Sequence, residues 1–343
     1  MTGLPFPEQT AIFITAAGDP DVLQARACPI PVPAEDELLV EVVYAGVNRH
    51  DCNQRRRGPS AVHSDIPGLE LSGTVRTVGE RVRGFAEGDR VCALANGGGY
   101  ARFACVPANH TFLLPKGMSL QHAAALPEAL FTVWHNFFNV ACLTAGETVL
   151  VHGGTSGVGS IAIQLLQALG HPVYATCGSA AKCDAAVGLG AVAAINYRTQ
   201  AFEQEVQRFT QGRGVDVILD MAGAAYGARN VQALAHRGRV VHLAPGEAAD
   251  FSAPLRSIMA KEAKITGSLL RPLPAEEKTL IAHRLREVAW PLVHQGRVRP
   301  LIEAVLPLAE AAEAHRRLES GAVAGKLLLQ AAEDPDFPPS PNM

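Results

Sequence analysis

Up to about residue 115 the chain carries short, dense runs of apolar and β-branched residues, such as LLVEVVYAGV and SGTVRTVG, separated by Gly, Pro and Asp. Runs of that length bounded by turn formers predict strands. Turn signals recur at Gly79, Gly84, Gly88-Asp89 and Gly97-Gly98-Gly99, which predicts a compact, partly open barrel with long connections. Near Leu120 the period changes. QHAAALPEALFTVWHNFFNVAC places apolar residues at helical spacing, and ETVLVH then opens a new strand, so a domain boundary is expected near residue 125. Beyond it strand and helix alternate: ETVLVH, a helix over 157–169, PVYATC, a helix over 182–189, VDVILD, a helix ending near His236, and GRVVHL. That order predicts a parallel sheet covered on both faces.

From about residue 268 the alternation lapses. A helix in EEKTLIAHRLREVAWPLVHQG, another in LAEAAEAHRRLESG and a strand in KLLLQ are expected to return to the first domain. The predicted plan is a first domain of 1–124 with 268–330, a second of 125–267, and an acidic, Pro-rich tail over 331–343 expected to be flexible.

Composition narrows the class. A length of 343 residues, 48% of them hydrophobic and 18% charged, suits a globular protein with two cores. A formal charge of −3 supplies no field for a nucleic-acid backbone. The one basic cluster, Arg55-Arg56-Arg57 beside Gly58-Pro59, reads as a solvated loop. Seven cysteines without a C-x-x-C pair read as scattered reduced thiols, with no disulfide framework. The opening MTGLPFPEQTAIFI has no basic leader, and no window approaches the roughly 18 apolar residues of a membrane span. A cytoplasmic protein without a membrane or nucleic-acid partner is expected. The twelve histidines show no metal-ligand spacing, and His152 reads as a spacer at a strand end.

The sharpest chemistry is in VLVHGGTSGVGSIAIQLLQALG, where an apolar strand enters a Gly-rich turn and then a helix. The N–H groups of Gly157, Val158 and Gly159 would open that helix unpaired, and the helix dipole favours an anion over them. A pyrophosphate meets that demand. Gly154 is expected to allow the strand exit, Gly157 close approach to phosphate, and Gly159 packing of helix on sheet. Ser156 stands where G-x-G-x-x-G has its middle glycine, and its hydroxyl could donate to phosphate.

About 20 residues further on, NAD-binding units carry a carboxylate for the ribose 2′-OH. Here the second strand ends PVYATCGSAAK, with Ser179 and Lys182 in that region and no acidic residue. A hydroxyl and an ammonium suit a 2′-phosphate, so NADPH is the expected cofactor.

With these residues, the chain resembles the zinc-independent quinone oxidoreductase branch of the medium-chain dehydrogenase/reductase superfamily. AGVNRHDCNQRRRG, IPGLELSGTVRTVGERVRGFAEGDRV, AAALPEALFTVWHNF, HGGTSGVG, INYRTQAF, GVDVILDMAG, GRVVHL and AGKLLL are similar to the family's successive blocks, over about residues 10 to 330. The resemblance implies an α/β fold: a Rossmann doubly wound parallel sheet beside a GroES-like, partly open β-barrel. It implies no metal. Asn48, Leu69 and Glu128 fall where zinc-dependent relatives have Cys, His and Cys, and the four cysteines of their structural zinc lobe are missing between Gly88 and Arg102. It also implies that Thr132 and Leu243-Ala244 lie near the nicotinamide, Tyr197 and Lys182 near the adenosine phosphate, and Leu269-Leu270 near the ring or a dimer edge. Lys326, in AGKLLL, counts among the implied cofactor-binding residues, and a homodimer through 264–269 is implied as well.

Asn48 is the implied polar contact to the substrate. Many bacterial members have a tyrosine five residues later, where this chain has Asn53. Hydride transfer to a quinone needs proximity and orientation above all, and water can protonate the product oxyanion. Reduction of an enone or enoyl thioester is the alternative on the same scaffold, and a non-catalytic NADPH-binding protein is the alternative from another class.

Overall fold

The computed structural model describes residues 7–60, 64–246 and 250–335. The chain divides into two compact units, Met1–Glu128 with Pro300–Met343, and Ala129–Arg299. The far end of the expected tail, 336–343, lies outside the described residues.

The first unit begins with an antiparallel pair, β1 (Glu8–Ile14) and β2 (Leu23–Pro29). It continues with β3 (Glu37–Val47), helix α1 (Arg49–Arg57), β4 (Glu70–Val78), β5 (Arg90–Leu94), β6 (Phe103–Pro107), β7 (Thr111–Leu113) and helix α2 (Leu120–Ala123). β3 is long and bulged. Its register against β4 shifts at Leu39/Val40 and again at Val42/Tyr44, and such bulges bend a strand and increase its twist. Its first half also pairs with β6, and its second half is free for a strand supplied much later in the chain.

Arg55, Arg56 and Arg57 are the last turn of α1, not a solvated loop. The Arg55 side chain is 1% exposed. Its guanidinium donates to both carboxylate oxygens of Glu319, at 3.2 and 2.8 Å, and to the carbonyl of Gly18. A fork-shaped cation matched to a carboxylate is what allows such burial.

The second unit is entered through α3 (Pro127–Trp134) and holds six parallel strands: β8 (Val149–His152), β9 (Val173–Cys177), β10 (Ala193–Asn196), β11 (Val215–Asp220), β12 (Leu234–His242) and β13 (Lys264–Gly267). β8, β9 and β11 are apolar on both faces because helices cover both: α4 (Gly157–Ala168), α5 (Ala180–Gly188), α6 (Phe202–Phe209), α7 (Gly227–Ala233) and α8 (Leu255–Lys261). The order β10-β9-β8-β11-β12-β13 reverses its winding between β8 and β11. Ligands bind at the carboxyl ends of the strands beside such a reversal. The helix expected to reach His236 ends at Ala233, and β12 takes over with Arg237 in a left-handed conformation.

The return to the first unit comes at Pro300 rather than near 268. Helices α9 (Ala275–Arg284) and α10 (Trp290–His294) stay with the parallel sheet. The segment is tied to α4: the Gln164 amide brackets the backbone of Arg299, and Arg297 donates to the carbonyl of Ala168. The chain then adds β14 (Ile302–Pro307), α11 (Ala311–Glu319) and β15 (Lys326–Gln330), completing the order β14-β15-β3-β4-β5-β7 with β6 on β3.

Candidate active site

β8 is wholly buried and ends in the Gly-rich turn. Gly153 takes the left-handed conformation, at φ +69°, so it and not Gly154 makes the strand exit. Gly154 serves close approach: a Cβ there would stand 2.7 Å from the Ala175 side chain of β9. A Cβ on Gly159 would stand 2.2 Å from the carbonyl oxygen of Gly153, so Gly159 packs the helix against its own turn. Ser156 caps α4, its hydroxyl accepting from the N–H of Gly159 at 3.0 Å. Of the three N–H groups expected to be free, Gly159's is therefore occupied. Those of Gly157 and Val158 find no acceptor in the turn among the described residues. The Ser156 hydrogen points at the sulfur of Met221, 3.8 Å away, a weak acceptor that a phosphate oxygen would outcompete.

The ends of β9 and β10 form the next part of the same edge. Ser179 caps α5 and accepts from the Lys182 N–H at 3.2 Å, which leaves its hydroxyl hydrogen available to a ligand. Lys182 is half-buried on the first turn. A Cβ on Gly178 would stand 2.9 Å from the Tyr197 hydroxyl and 3.6 Å from Nε of Arg198, so both side chains from the end of β10 lie over the turn that opens α5. Arg198 is exposed and was missed in the sequence, although it directly follows Tyr197. Tyr197 and Arg198 thus lie over the turn that Ser179 caps, with Lys182 on the first turn of α5 and no carboxylate among the four.

Under this edge lies a buried polar layer. His152 is fixed at both ring nitrogens, by Thr176 at 2.9 Å and by Asn230 at 2.8 Å, and burial pushes its pKa down. It is a structural strut rather than a spacer. Asn230 donates to Asp220, whose other oxygen accepts from the N–H groups of Ala222 and Gly223. His242 meets Asp220 at 3.3 Å. Burial would raise the Asp220 carboxyl, but its hydrogen bonds, led by His242, hold it below the usual range. Beyond β12, the N–H of Leu243 donates to the carbonyl of Asp220, which sets half-buried Leu243 and Ala244 at the same edge. Thr132 is buried on α3, and Leu269 and Leu270 follow β13, with Leu269 69% exposed.

In the first unit, Asn48 and Lys326 meet each other. The Lys326 ammonium, on a residue 4% exposed, donates to Asn48 Oδ1 at 2.5 Å, Glu70 Oε1 at 2.5 Å and Glu128 Oε2 at 3.5 Å. An ammonium has three donors, and in this arrangement all three are directed at these acceptors. Burial alone would lower its pKa, but Glu70 and Glu128 outweigh burial and raise it. Asn48 Nδ2 donates to Glu70 at 3.0 Å. Its amide is engaged on both sides, which makes it a brace and a poor donor to a substrate carbonyl. Beside it, burial pushes the Asp51 carboxyl up to about 7, against the N–H groups of Asn48 and Gly68 that favour its charge.

These residues do not fit a divalent metal. The Lys326 cation already sits among Asn48, Glu70 and Glu128, and Leu69 offers no lone pair. Among the described residues no group of three or more His, Cys, Asp or Glu could hold a metal ion.

Residues 34–116 match the family described as "Alcohol dehydrogenase GroES-like domain", and residues 189–329 match "Zinc-binding dehydrogenase". The quinone oxidoreductase of Sus scrofa is 31% identical over 332 residues, covering 93% of this chain and 97% of that protein. The chain belongs to the quinone oxidoreductase branch of the medium-chain dehydrogenase/reductase superfamily. Within that superfamily, the Escherichia coli quinone oxidoreductase solved with NADPH is 28% identical, with a TM-score of 0.82 over 94% of this chain and 100% of that one. The CurK enoyl reductase is 25% identical, with a TM-score of 0.81 over 94% of this chain and 99% of that one. The Rossmann and GroES-like architecture expected for the branch is the one observed, and the chain is an oxidoreductase of this type that binds a nicotinamide dinucleotide.

Proposed function

We propose that the protein is an NADPH-dependent, zinc-independent reductase of quinones. The observation that carries the cofactor reading is the paired arrangement at one sheet edge: open N–H groups of Gly157 and Val158, and Tyr197 and Arg198 lying over the turn where Ser179 and Lys182 open α5. The first would hold a pyrophosphate and the second a 2′-phosphate. NADPH supplies the hydride. Thr132, Leu243, Ala244, Leu269 and Leu270 remain the candidates for the nicotinamide side.

Asn48 and Lys326 belong to a hydrogen-bonded cluster that braces the first unit. No side chain is assigned as an acid, since water can protonate a quinol oxyanion. The quinone oxidoreductase activity for which the Sus scrofa and Escherichia coli relatives are named supports a quinone acceptor. The CurK likeness favours a second reading, reduction of an enoyl thioester. Seven free cysteines support a reducing, cytoplasmic setting. The outer edge of β13, with Leu255, Met259 and Leu269 each 69% exposed nearby, supports a homodimer.

The deciding assay follows nucleotide oxidation with ortho- and para-quinones, enones and enoyl-CoA esters, with NADPH and NADH in parallel and with a chelator. Turnover of quinones with NADPH, unaffected by chelation, is expected. Equal use of NADH, or turnover confined to enoyl-CoA, overturns the cofactor or the acceptor respectively; binding without turnover would make the protein a nucleotide-binding module.

A further inference from the structure

Cys177 ends β9 and Cys183 lies in the first turns of α5. Gly178 and Ser179 reverse the chain between them, and the Ser179 cap fixes where the helix begins. The reversal brings the sulfurs into hydrogen-bond contact, the Cys177 thiol donating to Cys183. A second observation links this pair to the phosphate turn. The Gly154 N–H donates to the Thr176 carbonyl just before Cys177, the Thr155 N–H is directed at the Cys177 sulfur, and a Cβ on Gly154 would lie 3.4 Å from that sulfur. Cys177 is 2% exposed while Cys183 is only half-buried, so one thiol is open to attack and its partner waits behind it.

We infer that Cys177 and Cys183 form a reversible dithiol–disulfide site whose oxidation weakens the adjoining dinucleotide site. With a peroxide as oxidant, the Cys183 sulfur takes one oxygen as the O–O bond breaks, giving a sulfenic acid and one water. The Cys177 sulfur then attacks that sulfur, an S–S bond forms, and the hydroxyl leaves with the Cys177 proton as a second water. Two thiols lose two electrons and two protons, and hydrogen peroxide becomes two waters. A covalent S–S bond is far shorter than a thiol hydrogen bond. Closing it draws Cys177 from beneath Gly154 and Thr155 and displaces the first turn of α5, which carries Ser179 and Lys182. Burial holds both thiols above their usual range, Cys177 at about 12, so the pair responds to strong oxidants and stays reduced otherwise. The loss of cofactor affinity rests on the dinucleotide reading above; the disulfide does not.

The test uses the full chain carrying Cys142→Ser, which removes the exposed thiol, and the same chain with Cys183→Ser added. After hydrogen peroxide and alkylation, peptide mapping is expected to find the Cys177–Cys183 link, reversed by dithiothreitol, and reduced protein is expected to retain one equivalent of phenylarsine oxide that the Cys183→Ser chain does not. Cys183 overoxidised beside a free Cys177, or no arsenical retained, overturns the site. NADPH affinity, read by fluorescence titration, is expected to fall severalfold in the disulfide form and recover on reduction. A mapped disulfide with unchanged affinity overturns the control of binding and leaves the cofactor reading intact. No NADPH affinity in the reduced protein overturns the cofactor reading and that control together, while the map still judges the thiol pair.

Discussion

The turn after β8 and the cluster around Lys326 both gather polar groups, and they treat them in opposite ways. Around Lys326 every donor meets an internal acceptor: three N–H bonds go to Asn48, Glu70 and Glu128, and the Asn48 amide is engaged at both ends. In the turn, Gly154 and Gly159 hold the backbone too close for side chains, and the N–H groups of Gly157 and Val158 stay open at the head of a 12-residue helix. Closed polar sets describe architecture, whereas donors kept open by geometry describe a ligand.

The hardest blow to this contrast is Lys326→Met, which strands Glu70 and Glu128 without their cation. A loss of about 3–5 kcal/mol in urea unfolding is expected, with part of it recovered by adding Glu70→Gln. Collapse of nucleotide affinity at full stability would instead make the cluster a binding site. Next comes Gly159→Ala. The new methyl meets backbone, so about 1–3 kcal/mol of stability and much of the NADPH affinity are expected to go, read by thermal melting and titration; unchanged affinity would mean the turn does not hold the cofactor.

The first unit can also be probed with protons. Tyr100 bridges Asp51 and His315 at 3.4 and 3.2 Å, and burial pushes the His315 pKa down from 6.5 to about 3. The unfolded chain therefore binds more protons between those values, and stability contributed by neutral His315 is lost as pH falls. Asp51 works the other way, since its native pKa of about 7 against 3.8 makes stability fall as pH rises through that window. Replacing His315 by Leu is expected to remove about 1.2 kcal/mol of acid destabilisation by pH 5.5 relative to neutral pH. An unchanged pH slope in paired urea titrations would sink the assignment. The smallest effects belong to Lys182→Ala and Arg198→Ala. Each is expected to weaken NADPH about fivefold, near 1 kcal/mol, and to leave NADH alone; equal losses for both nucleotides would move the 2′-phosphate elsewhere.

The phosphate turn was legible because its parts are consecutive: an apolar strand, spaced glycines and an amphipathic helix make one local pattern. The Lys326 cluster was not, because residues 48, 70, 128 and 326 meet only through the sheet order. Arg55 shows the same limit. Three arginines in a row read as solvated until Glu319, far along the chain, supplies a buried partner. The thiol pair escaped because a C-x-x-C filter ignores spacings that a strand-to-helix reversal can close. The boundary falls at Pro300 and not near 268 because a lapse in strand–helix alternation says nothing about which sheet the next helices cover.

The first unit depends on residues made last. On the edge away from β4, the second half of β3 stays unpaired until β15 arrives, with Ala45 opposite Leu329 and Val47 opposite Leu327, and the Arg55 guanidinium waits for Glu319. During synthesis the continuous stretch Ala129–Arg299 can therefore complete its core while the N-terminal strands still wait on the ribosome for their closing segment. A chain cut at Pro300 would keep its nucleotide-binding sheet whole and present a bare, apolar β3 edge, which is a route to aggregation rather than to a working half-enzyme.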